Sequence, residues 1–164
     1  MSRSQSEFVQ RYGGVYESSA WVAEEVEAEL DSGTDIRRIG ELMADCVDNA
    51  SRERQLALIR AHPDLAGKAQ IAGELTEAST SEQASAGLDQ CTPEEYLRFQ
   101  DMNQAYHLRF GFPFVMAVRG SSRAEILAAF ENRLGNDRDV EFETALAEIH
   151  KIARLRLQAM EAGE

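Results

Sequence analysis

Apolar residues recur at intervals of three and four positions through most of the chain, and no segment shows a convincing alternation of apolar and polar residues. Ile36, Ile39 and Met43 illustrate this spacing, which places all three on one side of a helix. Short polar or glycine-containing stretches separate such segments. The pattern predicts an all-α fold, a compact single-domain bundle of about seven to nine helices that covers residues 1–164.

A long helix and the extended segment after it have clear end signals. Thr92 and Glu95 stand in the register of a capping box, in which each side chain accepts a hydrogen bond from the other residue's backbone amide. Gly111 suits the left-handed position that ends many helices, so the helix is predicted to run to Phe110. Residues 112–118 contain a proline among large apolar side chains, which predicts a buried extended segment.

The segment that starts at Ser79 is predicted to open a shorter helix, which closes at Gly87. Its hydroxyl groups can cap the first backbone amides of that helix. Glu82 and Gln83 then fall in the first turn, where the helix dipole favours a carboxylate. For Glu82 the alternative to a functional role is an ordinary carboxylate in solvent at a helix start.

His62 precedes a proline, in a chain with only three histidines. A residue before proline is disfavoured in the helical region, so the preceding helix is predicted to end at Ala61 or His62. The residues after Asp64 show no clean period and predict an ordered loop. An imidazole on a rigid helix exit suits proton transfer near neutral pH. A capping or surface histidine is the alternative.

The last helix, predicted to begin at Asp139, carries an arginine within its apolar face. At about 100° per residue, Arg156 projects between Ile152 and Ala153, whereas Arg154 falls outside the apolar arc. An inward guanidinium must meet a carboxylate, carbonyl groups or an anionic ligand. Arg156 is therefore predicted to form either a structural salt bridge or a ligand contact.

Composition and charge narrow the function class. Of the 164 residues, 29 are acidic and 17 are basic, so the net charge is -12. A surface of this sign repels phosphate backbones and anionic lipid, so we expect neither nucleic-acid nor membrane binding. No signal peptide is visible, and the cytoplasm is the expected location. Cys46 and Cys91 lack metal-type spacing and are expected to pack as small buried thiols in a reducing compartment.

Several motifs, taken together and in order, resemble one enzyme family over nearly the whole chain. They are Gly13-Gly14-Val15-Tyr16-Glu17, Ala61-His62-Pro63-Asp64-Leu65-Ala66, Ser79-x-x-Glu82-Gln83, Gly87-Leu88, Asn103-x-x-Tyr106-x-x-x-Phe110-Gly111-Phe112-Pro113-Phe114 and Lys151-Ile152-x-x-Leu155-Arg156-Leu157. The chain resembles the 2-oxo-4-hydroxy-4-carboxy-5-ureidoimidazoline (OHCU) decarboxylases, the last of the enzymes that turn urate into (S)-allantoin. The His-Pro-Asp and Gly-Phe-Pro-Phe elements are the specific part of the match.

The resemblance implies an all-α, usually homodimeric enzyme that has no metal or organic cofactor and acts on a small ureidoimidazoline substrate. It implies His62 and Glu82 as catalytic residues. The substrate-binding residues that it implies are Pro63, Ser79, Gln83, Phe114, Val115, Met116, Ala117, Val118 and Arg156, with the main chain of 114–118 as a pocket wall. Arg154 is the alternative to Arg156.

Other interpretations of the polar residues stay open. Asn103 and His107, on the inner face of the long helix, are predicted to tie down the loop at 111–114 by hydrogen bonds. A non-enzymatic helical interaction module would use its inward polar residues only as such core ties. A metal-dependent hydrolase is the third class, but His62, His107 and His150 are spread singly and form no metal-binding pair. No metal site is therefore expected.

Overall fold

In a computed structural model of the chain, residues 6–30, 33–67 and 72–163 are described, and they form helices and connecting segments but no strand. The eight α-helices of these residues are α1 (Glu7–Tyr12), α2 (Trp21–Glu27), α3 (Ile36–Asp48), α4 (Arg52–Arg60), α5 (Glu77–Ser85), α6 (Pro93–Phe110), α7 (Arg123–Leu134) and α8 (Arg138–Glu161). A 3-10 turn, Leu88–Gln90, separates α5 from α6. The all-α prediction is confirmed. None of the described helices is long and apolar enough to cross a bilayer.

The chain falls into two compact units. The first consists of Met1–Ala61 and His150–Glu164, and the second of His62–Ile149. The first unit therefore holds α1 to α4 and the C-terminal part of α8, whereas α5 to α7 and the beginning of α8 belong to the second. That residues 1–164 form a single domain stays a prediction.

The apolar faces of the helices are buried within the first unit as their spacing predicts. Ile39 and Met43 of α3 are buried, and so is Leu157 of α8. A Cβ atom at Gly40 would lie 3.0 Å from Cδ1 of Leu157, so α3 and α8 approach closely at this glycine. Burial of these side chains is the main stabilising contribution of the unit.

Aromatic rings fill the core of the second unit around Tyr106. Its ring centroid lies 4.5 Å from that of Phe110 and 5.5 Å from that of Phe114. Phe114 stacks on Phe130 of α7, with 3.9 Å between ring centroids and 10° between planes. Residues 113–118 have no helical or strand structure, and Phe114 is buried. Residues 112–115 and 118 are buried, as predicted. That the segment is extended stays a prediction.

Most helix ends follow the capping signals, with one correction. The capping box of Thr92 and Glu95 is present, and Gly111 has a φ of 78°. The prediction that α5 opens at Ser79 is wrong. Thr76 caps this helix by accepting a hydrogen bond from the backbone amide of Ser79 at 3.2 Å, so the helix begins at Glu77. A hydroxyl three residues upstream therefore takes the position that was expected of Ser79.

Candidate active site

His62 is buried directly after the end of α4. The helix ends at Arg60 with Ala61 as its C-cap, which confirms the predicted stop before Pro63. The side chain of His62 is 8% exposed and its Nε2 atom is fully buried. A surface histidine is thereby excluded, and the ring sits where a low dielectric strengthens its polar interactions.

The loop that follows His62 is held in a rare backbone conformation. Ala66 is 1% exposed and has a φ of 51°, in the left-handed region that L residues other than Asn, Asp and His rarely adopt. Oε1 of Gln83 accepts a hydrogen bond from the Ala66 amide at 3.0 Å, and its Nε2 donates to the Asp64 carbonyl at 3.2 Å. Gln83, predicted as a substrate contact, thus binds the loop that carries His62.

Helix α6 contacts the same loop with three more polar side chains. Gln100 Nε2 donates to the carbonyl of Ala66 at 2.7 Å, and Asn103 Nδ2 donates to that of Leu65 at 3.0 Å. His107 Nε2 lies 2.8 Å from Oδ1 of Asp64. The side chains of Asn103 and His107 were predicted to tie down residues 111–114, and this is wrong. Positions three and four apart share one helix face, but a sequence does not show which loop that face meets.

Ser79 and Glu82 lie on α5 together with Gln83. Ser79 is buried, Gln83 is 3% exposed and Glu82 is partly exposed. Because positions three and four apart are neighbours on a helix, α5 presents Ser79 beside Glu82 and Gln83. The start of α5 at Glu77 places Glu82 and Gln83 beyond the first turn, contrary to the prediction.

The segment 114–118 is fixed partly through its main chain. Nη1 of Arg133 donates to the carbonyl of Val115 at 2.6 Å, and the Arg133 guanidinium lies 4.3 Å from the ring centroid of Phe114. The amide of Ala117 donates to Oε1 of Glu148 at 3.4 Å. Val118 is buried, whereas Met116 and Ala117 are partly exposed. The side chain of Phe114 belongs to the aromatic core, so at this residue only main-chain atoms are available to a ligand.

A buried ion pair supports that segment and was not predicted from the sequence. Glu141 is fully buried, and its Oε1 accepts hydrogen bonds from Arg133 Nε at 2.8 Å and from the Tyr106 hydroxyl at 3.0 Å. Burial raises the pKa of Tyr106, which keeps the phenol protonated as a donor. The sequence does mark Glu141 as unusual, because its spacing places it on the same helix face as Ala145 and Ile149, which are buried.

Arg156 lies in the first unit and points inward, whereas Arg154 is exposed, as the helical projection predicts. Nη1 of Arg156 donates a hydrogen bond to the carbonyl of Gly14 at 2.9 Å, and its Nη2 donates to Oε2 of Glu17 at 3.0 Å. Glu17 is 3% exposed. Of the two alternatives, the salt bridge is therefore present. The role of Arg156 as a substrate contact stays a prediction.

The remaining histidine, His150, has two side-chain partners, and both cysteines are partly exposed. Nδ1 of His150 lies 2.8 Å from the hydroxyl of Tyr16, and its Nε2 lies 3.0 Å from Oδ1 of Asp48. Cys46 and Cys91 are partly exposed thiols rather than fully buried ones, which corrects the prediction for both. Across the described ranges, no three potential ligands among His, Cys, Asp and Glu are grouped as a metal site would require.

Comparison with known proteins gives one consistent result. A family model described as OHCU decarboxylase matches residues 1–158. The chain is 45% identical over 150 residues to the 2-oxo-4-hydroxy-4-carboxy-5-ureidoimidazoline decarboxylase of Haloferax volcanii, which covers 92% of this chain and 86% of that protein.

Two crystal structures are similar in fold. One, of (S)-allantoin synthase, has a TM-score of 0.72 and 32% identity and covers 92% of this chain and 48% of that chain. The other, of OHCU decarboxylase in the presence of (S)-allantoin, has a TM-score of 0.73 and covers 93% of this chain and 97% of that chain. At 24% identity, the second similarity concerns the fold alone.

Proposed function

Because this chain belongs to the OHCU decarboxylase family, we propose that it catalyses the decarboxylation of OHCU to (S)-allantoin in urate degradation. As an enzyme it is then a carboxy-lyase. The observation that carries the proposal is a buried imidazole, that of His62, followed by a loop whose backbone is held by side chains of two helices. Such rigidity is what a proton-transfer group requires.

The chemistry of the substrate explains why protein side chains can suffice. OHCU has a quaternary ring carbon that bears both a hydroxyl and a carboxylate, next to C=N and C=O groups. When carbon dioxide leaves, the unsaturated ring accepts the electron pair, so a separate electron sink is unnecessary. We therefore propose a reaction without metal or organic cofactor. The protein has to orient the carboxylate, stabilise the delocalised anion and control one proton.

His62 is the proposed general acid/base, which polarises the substrate and handles the proton that sets the S configuration. Glu82 would bind the substrate hydroxyl or an N–H group and restrain the tautomer of His62. Arg156, with main-chain amides, would orient the ligand, and its donation to Glu17 already fixes its guanidinium. The N–H groups of a planar guanidinium can donate hydrogen bonds to a carboxylate or to an amide oxygen.

Gln83 and Ser79 are proposed to hold the amide and ureido groups of the substrate. A primary amide has two N–H donors and two acceptor lone pairs, so the two hydrogen bonds of Gln83 to Asp64 and Ala66 do not exhaust it. Those bonds would also fix the orientation of the amide. Pro63 and the backbone of residues 114–118 would complete the substrate contacts.

Two further proposals concern the state of the enzyme. We propose a homodimer, which the family resemblance implies, and light scattering after gel filtration would test it. The acidic composition, with a net charge of -12, supports a location away from anionic membrane surfaces. We propose the cytoplasm, and fractionation of the source cells with an antibody to this protein would test it.

A coupled assay tests the activity. Urate, urate oxidase and hydroxyisourate hydrolase generate OHCU in the cuvette, and circular dichroism follows (S)-allantoin with and without the protein. We expect a rapid dichroic signal with the protein, because spontaneous decay gives a racemate with none. Equal signals from native and heat-denatured protein would refute the proposal.

A further inference from the structure

Shortly after His62, the backbone carbonyl groups of three consecutive residues, 64–66, each accept a hydrogen bond from a side-chain amide. The carbonyl of Asp64 accepts from Gln83, that of Leu65 from Asn103 and that of Ala66 from Gln100. The donors come from α5 and α6, and all lie within the second unit. The backbone carbonyl groups of this loop are thus hydrogen-bonded by side chains that are distant in sequence, rather than by the backbone of a helix or strand.

Ala66 shows why the loop needs this support. A non-glycine residue at a φ of 51° persists only where its surroundings determine the backbone conformation. Its amide is bonded to Gln83 and its carbonyl to Gln100, so two helices hold the two peptide groups that flank its Cα atom. If either bond is lost, Ala66 can relax to an ordinary φ and turn the backbone between His62 and Gly67.

We propose that Gln100 and Asn103 are positioning residues for His62. Neither is assigned a contact with the substrate; both hold the loop and so fix the orientation of the His62 imidazole. The inference rests on the proposed function for its activity readout. For Asn103 the donation to Leu65 is the whole of its side-chain hydrogen bonding among the described residues, since its buried Oδ1 accepts no hydrogen bond there.

The test substitutes Gln100 without changing its shape. In Gln100→Glu an ionised carboxylate cannot donate to the carbonyl of Ala66. Gln104→Glu makes the same change one turn later at an exposed position and is the matched control. We expect kcat per folded molecule to fall at least about tenfold in Gln100→Glu, with a much smaller change in KM, because small displacements of a catalytic group are costly. Gln104→Glu should match the unchanged protein.

A pH profile separates positioning from mere stability. A protonated carboxyl group at position 100 can donate to Ala66 again. The ratio of kcat for Gln100→Glu to that of the unchanged protein should therefore rise as the pH falls through the carboxyl pKa, whereas the ratio for Gln104→Glu should stay flat. If Gln100→Glu does not fold, Gln100→Met with Gln104→Met as its control removes the donor without adding charge. An unchanged kcat in the folded variant would overturn the proposal.

A readout without substrate keeps the two proposals distinguishable. In the unchanged protein, the Ala66 amide should exchange slowly with solvent and the ring nitrogens of His62 should give one sharp set of NMR signals. Gln100→Glu should accelerate the exchange and broaden or shift those signals, and Gln104→Glu should not. If the unchanged protein makes no (S)-allantoin, the proposed function fails while this test still stands. Identical exchange and ring signals in both variants would overturn the positioning role.

Discussion

Nη2 of Arg156 lies 3.0 Å from Oε2 of Glu17, and both side chains are almost completely buried. The pair and the bond from Arg156 to the Gly14 carbonyl attach the segment after α1 to α8 within the first unit. Removal of one partner leaves a buried charge without compensation. We expect Glu17→Gln to lower the free energy of unfolding by about 3–5 kcal/mol, measured by urea denaturation.

Glu24→Gln is the matched control for this prediction, because Glu24 is an exposed carboxylate of α2. Its substitution should change the free energy of unfolding by less than about 0.5 kcal/mol. Equal midpoints for Glu17→Gln and Glu24→Gln would show that the buried pair contributes nothing net to stability. A decrease in the first variant alone would support the structural role of Glu17.

Substitution of His62 should affect turnover far more than folding. His62→Asn keeps a planar polar side chain of similar size but cannot act as an acid or base near neutral pH. General acid/base catalysis contributes typically about 10² to 10⁴-fold, so we expect a decrease of this size in kcat. Circular dichroism and thermal unfolding should stay close to those of the unchanged protein. Full activity of purified His62→Asn on freshly generated substrate would contradict the catalytic role.

Local signals in the sequence predicted the helices well because each depends on neighbouring residues. The capping box at Thr92, the stop at Gly111 and the helix end before Pro63 all occur as predicted. The start of α5 was placed too late, since two hydroxyl residues compete as caps and only the fold selects Thr76 over Ser79. The helical projection also separated Arg156 from Arg154 correctly, because burial follows the period of the helix.

The partners of the inward polar residues could not be predicted, because they depend on which loop each helix face meets. Asn103 was assigned to the wrong loop, and Glu17 was not recognised as the partner of Arg156. The buried Glu141 was also missed, although its place on an apolar helix face marked it as unusual. Pairing between distant segments is tertiary information that one sequence does not contain.

The side chains of Arg133 and Glu141 should be coupled in their contribution to stability, because each compensates the buried charge of the other. Glu141→Ala leaves the Arg133 guanidinium and the Tyr106 hydroxyl without their shared acceptor, and we expect a loss of about 3–5 kcal/mol in urea denaturation. The double variant Arg133→Met/Glu141→Leu should lose less than the sum of the single variants, because no buried charge remains. If the loss in the double variant equalled the sum of the losses in the two single variants, the two side chains would not be coupled.

The thiol of Cys46 should resist ionisation and should lower stability at high pH. Burial, then the hydrogen bond to Oε2 of Glu25, raise the pKa of Cys46 to about 12, from an ordinary value of 9.0. The unfolded chain therefore loses this proton first, so the contribution of Cys46 to the free energy of unfolding is unchanged below pH 9 and falls from there to pH 12.

Since the thiolate is the nucleophile, alkylation of Cys46 by iodoacetamide in a Cys91→Ser background should also stay slow at pH 9. Glu25→Gln should accelerate it, with Glu24→Gln as the control. An inflection near pH 9 in the alkylation rate of the Cys91→Ser protein would contradict the raised pKa of Cys46.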